Sequence, residues 1–277
     1  MITAMFLAHF IGDFVLQWDS LAQWKGRSYL GVTVHVLVVS LVTWLFSLPF
    51  GTQFWPWVLF ICVSHWLIDL SQLFLVRQFP ILQTRFYAFG RFMFDQTLHM
   101  AVILTALVGS GYLHVGSAGT DMLAALQTDR FWTLALAYSF VTMPAWILVK
   151  FAIYGLINDS PPDFTELRRN KYVCILERLL ITTLVFSGSV LLVPFIPLVR
   201  LYFERDEVME RGRTAVYVAE LLSSVLLAVL VGLALRTLWL GTIGETIHRW
   251  TPIFTDRQEK SVFFGDICGL ISHLGCS

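Results

Sequence analysis

Seven long apolar runs dominate the chain and leave few folds open to it. They fall at positions 2–18, 31–48, 55–76, 89–108, 131–157, 174–199 and 214–240, each bounded by charge, Pro or Gly. Each is close to the ~20 mostly apolar residues that a helix needs to cross the hydrocarbon core of a bilayer. Lipid offers no water to the backbone, so such segments must be helical; an open sheet edge would leave amide groups unpaired. The expected fold class is all-α, a polytopic transmembrane helix bundle with about seven membrane segments.

Composition agrees with this. Of the 277 residues, 57% are apolar and 14% charged, against about 45–50% and 25% in soluble domains. The 19 basic and 19 acidic residues cancel. No basic face is left to follow a phosphate backbone, which argues against nucleic acid as a partner. Cys62, Cys174, Cys268 and Cys276 are scattered without C-x-x-C spacing, so neither a disulfide framework nor a thiolate metal site is expected. The opening MITAMFLAHFIGDFVLQW has no basic leader and no small-residue cleavage site, and Asp13 interrupts its apolar stretch. It is expected to be retained as the first span. Trp18, Trp24, Trp55, Trp57 and Trp132 lie near run ends, where an interfacial aromatic belt accounts for them.

Basic residues set the expected orientation. Lys25 and Arg27 occupy the first connection, Arg77, Arg85 and Arg91 surround the third, and Arg168, Arg169 and Lys171 occupy the fifth. Positive charge stays on the cytoplasmic side, so the N-terminus is expected outside and these odd-numbered connections inside. The stretch 200–213, with four arginines, would then fall outside after seven simple crossings. Pro194 and Pro197 interrupt the sixth run, and the expectation is that it turns back as a re-entrant hairpin and returns Arg200 to the cytoplasm. Residues 1–240 are read as one transmembrane domain, and 241–277 as a polar, loosely ordered tail in which His248 and His273 are solvated bystanders. His114, in a Gly-rich external loop, is read as incidental.

The chemistry concentrates in the first four runs. His9 and Asp13, His65 and Asp69, and Asp95 and His99 are pairs four residues apart, and His35 stands alone in the second run. A spacing of four puts both members of a pair on one helical face. Gln17, Gln72 and Gln96 lie close by. Alternate spans run in opposite directions, so random placement would scatter these groups through the bilayer. At 1.5 Å per residue all seven instead fall roughly 6–18 Å from the same, expected cytoplasmic, edge.

An aspartate at the middle of a membrane helix costs about 2.5–3.5 kcal/mol, so three unpaired ones would cost on the order of 8–10 kcal/mol. Partners are required. His9, Asp13, His35, His65, Asp69, Asp95 and His99 form a nitrogen and oxygen set suited to a divalent transition metal, Zn, Mn or Fe, as one or two ions. Two divalent ions with a bridging hydroxide carry about three positive charges, enough to balance the three aspartates and able to activate water. The bland alternative is interhelical hydrogen bonding alone, at about 0.6 kcal/mol per contact.

Glu177 and Arg178 open the sixth run and Glu220 sits early in the seventh. Glu177 is a candidate catalytic base and Arg178 a candidate contact for an anion, with interfacial anchoring as the ordinary alternative.

The segments LAHFIGDFVLQ, SHWLIDLSQ, FMFDQTLHM and YVCILERLLI together resemble a bacterial multi-pass membrane family catalogued as domain of unknown function 3307. The resemblance spans about residues 2–240, and the family's polar motif positions fall on His9, Asp13, Gln17, His35, His65, Asp69, Asp95, Gln96, His99, Glu177 and Arg178. It implies a multi-pass protein of the bacterial inner membrane. The chain is also distantly similar to inner-membrane proteins described as metal-dependent hydrolases. It departs from the pattern at LVPFIPLVR, where a lysine is more typical.

Three functions fit these residues. The first is a metal-dependent membrane enzyme, a hydrolase or transferase acting on a lipid-linked or phosphorylated small-molecule substrate near the cytoplasmic face. The second is a transporter coupled to protons or metal ions, since buried Asp and His also form relays. The third is a non-catalytic membrane partner whose cluster only fixes helix packing.

Overall fold

The computed structural model describes residues 1–156, 171–204 and 214–240. The tail expected at 241–277 and most of the arginine-rich stretch 200–213 lie outside the described residues. Among the described residues there are helices and turns and no strand.

In chain order the helices are α1 (Ile2–Phe10), α2 (Asp19–Lys25), α3 (Tyr29–Ser47), α4 (Trp55–Gln78), α5 (Arg85–Gly109), α6 (Ala118–Thr128), α7 (Arg130–Val141), α8 (Met143–Leu156), α9 (Lys171–Ser187), α10 (Ile196–Phe203) and α11 (Thr214–Leu240). Five helical stretches are long and apolar enough to cross a membrane: Tyr29–Phe50, Thr52–Gln78, Phe86–Gly109, Arg130–Leu156 and Thr214–Trp239. They coincide with the second, third, fourth, fifth and seventh apolar runs. The first run is shorter than expected, an apolar helix over Ile2–Val15. The sixth run forms α9, which ends at Ser187.

Local chemistry sets these boundaries. Ser28 caps α3 by accepting from Leu30 N at 3.2 Å, and Pro56 sits in the first turn of α4, where its missing N–H costs nothing. Along α4 the buried positions Val58, Ile61, His65, Asp69 and Gln72 recur every three or four residues. Leu59, Leu67 and Phe74 on the other side are more than half exposed. The polar stripe thus faces protein and the apolar stripe faces outward, the reverse of a helix in water.

α1 is the centre of the bundle. It packs against α3, α5, α6 and α7, and Ala4 and Ala8 are fully buried, because small side chains let neighbouring helices close around it. One end of the bundle is an apolar core that includes Met5, Phe54, Val58, Ile61, Ile103 and Leu107. The buried histidines and aspartates lie beyond it.

The second half packs α11 against α9, α8 and α7. After α9 the chain turns at Gly188, which has φ +89°, and α10 packs back against α9. Only Gly takes that backbone conformation without strain. A Cβ there would also lie 2.6 Å from Arg236 Nη1.

Candidate metal centre

The site begins at an irregularity. α1 does not continue regularly but widens into a π turn over Ile11–Val15, closed by Leu16 N donating to Ile11 O at 2.8 Å. Such widened turns insert a residue and re-aim a side chain. Here the residue carried inward is Asp13, 4% exposed.

Asp13 meets His35 of α3, whose Nε2 donates to Oδ1 at 2.9 Å. From α4, His65 Nε2 lies 3.3 Å from Asp69 Oδ2 and 3.9 Å from Asp13 Oδ1. From α5, the His99 ring lies 4.1 Å from the His65 ring, centre to centre. Two overlapping triads result, Asp13, His35 and His65, then His65, Asp69 and His99, with candidate ligand atoms in each within 4.8 Å of one another. Ligands held about 2.0–2.2 Å from one ion stand about 3–4 Å apart, so small side-chain adjustments close either triad. All five residues are buried.

His99 has its tautomer fixed. Its Nδ1 lies 2.9 Å from the Asp95 carbonyl oxygen, which can only accept, so Nδ1 carries the proton and Nε2 presents a bare lone pair. His99 Nε2 is buried and makes no hydrogen bond. A metal-ligating histidine is prepared in this way, with one ring nitrogen donating to a carbonyl and the other free to ligate.

His9 and Asp95 stand one step out, held by Gln96. The Gln96 amide donates to Asp13 Oδ2 at 3.2 Å and to Asp95 Oδ2 at 3.1 Å. Its Oε1 accepts from His9 Nε2 at 3.2 Å. One side chain therefore ties α1 to α5 and orients two carboxylates. Neither His9 nor Asp95 belongs to the triads.

A cation from an unexpected place is already present. Lys25, at the end of α2, brings Nζ to 2.9 Å from Asp69 Oδ2 and 3.5 Å from Asp13 Oδ1. Burial works against the ammonium, but Asp69 and Asp13, joined at longer range by Asp95, outweigh it and raise the pKa above that of an ordinary lysine. From the sequence Lys25 counts only as a loop charge. What delivers it is Gly31, since a Cβ there would meet the Trp24 backbone at 2.5 Å and Lys25 N at 2.8 Å. Only the absence of that Cβ lets α2 lie this close to α3.

Beside the triads opens a cavity of about 620 Å³. Asp13, Asp69, Asp95, Lys25, Arg91 and Gln96 supply its polar wall, and Val32, Leu73, Phe92, Ile147 and Phe151 its apolar one. Gln23 of α2 and Gln83 of the α4–α5 turn also line it, so it lies toward the connections that carry Lys25 and Arg85. On another side the histidines border a void of about 10 Å³ lined also by Met5, Val39, Thr43, Ile61, Val102 and Ile103, room for about one water at most.

Glu177 and Arg178 occupy different surroundings, and neither lines the cavity. Arg178 donates Nε to Val141 O at 2.7 Å, Nη2 to Thr142 O at 3.1 Å and Nη1 to Ser224 at 3.1 Å. The two carbonyls belong to the break between α7 and α8 just ahead of Pro144, where a helix inside lipid needs outside donors. Glu177 accepts from Arg200 at 3.4 Å. Arg200 also holds Glu204 at 2.8 Å and Glu220 at 2.7 Å, and Lys150 reaches Glu220 at 2.5 Å. This second buried network ties α8, α9, α10 and α11 together.

Fold and site together define the class: an all-helical membrane protein with a His/Asp centre buried among its first helices. Residues 1–120 match the family described as Protein of unknown function (DUF3307), the family the motifs resemble. Every residue of the His/Asp centre, with Lys25 and Gln96, lies inside the matched part, and Glu177 and Arg178 lie outside it. No curated protein and no solved structure matches the chain.

Proposed function

We propose that the chain is a metal-dependent integral membrane enzyme of the bacterial inner membrane, a hydrolase or transferase that acts on a lipid-linked or phosphorylated substrate at the cytoplasmic face. The observation that carries this reading is His99 Nε2, a buried lone pair with no hydrogen bond, next to His65 and Asp69. A hydrogen-bonded packing cluster has no need of it. A bound Zn, Mn or Fe ion would supply the missing partner and bring the pKa of a water on it to about 7. Lys25 changes the charge count: with its ammonium in place, one divalent ion balances Asp13, Asp69 and Asp95, and a second ion requires Lys25 to leave. His65, Asp69 and His99 would hold that one ion, with Asp13 and His35 available for the other. Asp95, whose Oδ1 is buried at the cavity wall without a hydrogen bond, is placed to take a proton from water as substrate enters.

The return of α10 along α9, which brings Arg200 within reach of Glu177, supports the re-entrant reading of the sixth run. Arg200 then shares the cytoplasmic face with Lys25 and Arg91. On this reading α1 and the α9–α10 hairpin join the five long spans to make seven membrane segments.

Lys25 also favours a second reading, in which its ammonium is the only cation and the cluster does no more than tie α1, α3, α4 and α5 together. A transporter is less well supported, because the void that the histidines border beside Met5 and Ile103 has room for about one water at most. Protein in nanodiscs, stripped by chelator and reloaded with Zn, Mn or Fe, separates these readings when assayed for release of phosphate or alcohol from lipid phosphates. The enzyme reading expects turnover that returns with metal and falls at least about 100-fold in His99→Gln at unchanged melting temperature. Equal turnover in the wild type and His99→Gln, or none with any metal, would contradict it.

A further inference from the structure

Arg91 is the one cationic side chain at the cavity, other than Lys25, to which the sequence assigns only an orienting role. It lies on α5, one turn before Asp95, and lines the cavity. Its Nε is buried and makes no hydrogen bond, and among the described residues it interacts at longer range with Asp95. A buried guanidinium nitrogen left without an acceptor is costly unless an acceptor arrives from outside.

We infer that Arg91 receives the phosphate of a lipid headgroup, whose chain lies along the apolar wall of the same cavity. Three observations converge on that ligand. A guanidinium fork fits the two oxygens of a phosphate. Asp19, the fourth aspartate at the cavity, is paired with Lys171 at 3.4 Å, so with one divalent ion and Lys25 offsetting Asp13, Asp69 and Asp95, Arg91 is the positive charge left over and the cavity calls for an anion. The wall of Val32, Leu73, Val76, Ile147 and the Phe92–Phe151 stack, whose rings lie 4.9 Å apart at 12°, has nothing to offer a water-soluble ligand and suits an acyl chain. At about 620 Å³ the space holds a headgroup and the first part of a chain, within the ~300–1,000 Å³ usual for such sites. Within a bilayer, the anion that comes attached to an apolar chain is a lipid phosphate.

The inference rests on the metal-centre reading, because without an added cation the three carboxylates would repel a phosphate. A matched pair of probes tests it on the full chain in nanodiscs: lysophosphatidic acid, and glycerol 3-phosphate, which carries the same phosphate without the chain. Metal content is measured in the same samples. The expected result is lysophosphatidic acid bound at least ten times more tightly than glycerol 3-phosphate. Arg91→Gln should weaken it roughly 10- to 100-fold at unchanged metal content. Arg91→Lys, which keeps the charge and loses the fork, should fall between and serves if the Gln variant does not fold. Metal present with lysophosphatidic acid unbound, or bound equally well by Arg91→Gln, overturns this inference and leaves the metal centre standing. Equal binding of the two probes overturns the lipid and leaves a free phosphate ester. A wild-type protein without metal removes the metal reading and this inference with it.

Discussion

At the scale of single residues, the arrangement turns on how three buried carboxylates are kept charged. Lys25 is the visible answer for Asp13 and Asp69, and its raised pKa sets the direction of its pH dependence. A group whose pKa rises on folding contributes stability that is fully present below its unfolded value, about 10.4, and is lost as pH climbs through the higher folded one. The ion pair should therefore hold through the neutral range and loosen only in strong alkali. Lys25→Met leaves two buried carboxylates uncompensated, a loss of about 3–5 kcal/mol. If a metal binds the same carboxylates, much of that loss should return when Zn or Mn is added to the variant, read as a rise in melting temperature; no rise would favour Lys25 as the only cation. Arg178 makes the opposite case. Arg178→Ala strips donors from the Val141 and Thr142 carbonyls and should cut folded yield sharply, by about 3–5 kcal/mol of stability, while whatever folds keeps the metal content of the wild type. The sequence makes Glu177 and Arg178 look like one site because they are neighbours. Consecutive residues on a helix point about 100° apart, and here one meets α10 and the other the α7–α8 break.

Among elements, what was legible and what was not follows from periodicity. The His/Asp pairs could be read because a spacing of four on a membrane helix and a shared depth are both written along the chain, and α4 and α5 deliver His65, Asp69, Asp95 and His99 accordingly. The five long spans were legible for the same reason, as unbroken apolar length. Lys25 was not, since α2 is a separate short helix whose place over the site depends on a contact between Gly31 and the Trp24 backbone that no pattern along the chain records. The π turn that carries Asp13 inward and the break ahead of Pro144 were equally hidden, because each depends on donors and acceptors from distant segments. Gly31→Ala should push α2 outward, cost about 1–3 kcal/mol, and expose Lys25 to an amine-directed reagent that leaves it unmodified in the wild type. Equal labelling of the two would mean that α2 does not depend on that contact. Gly188→Ala forces a Cβ into both a positive φ and the Arg236 guanidinium and should cost about 1–3 kcal/mol, visible as a lower melting temperature with the His/Asp cluster undisturbed.

For the whole molecule, the two halves divide the work. The family-matched part, residues 1–120, carries the His/Asp centre, Lys25 and most of the cavity's polar wall. α8 contributes the far apolar wall through Ile147 and Phe151. α9, α10 and α11 brace α7 and α8 with a second, internally paired network. The cavity opens beside the centre, and the apolar core with Met5, Ile61 and Ile103 lies on another side of it. All of this depends on one claim, that the triad His65, Asp69 and His99 holds a divalent ion. Elemental analysis of the protein purified in mild detergent without chelator, beside Asp69→Asn prepared in the same way, measures it most directly. The account predicts about one transition-metal ion per chain in the wild type and its loss in folded Asp69→Asn. A wild type that carries no stoichiometric metal, and whose melting temperature does not move when Zn, Mn or Fe is added, would contradict it.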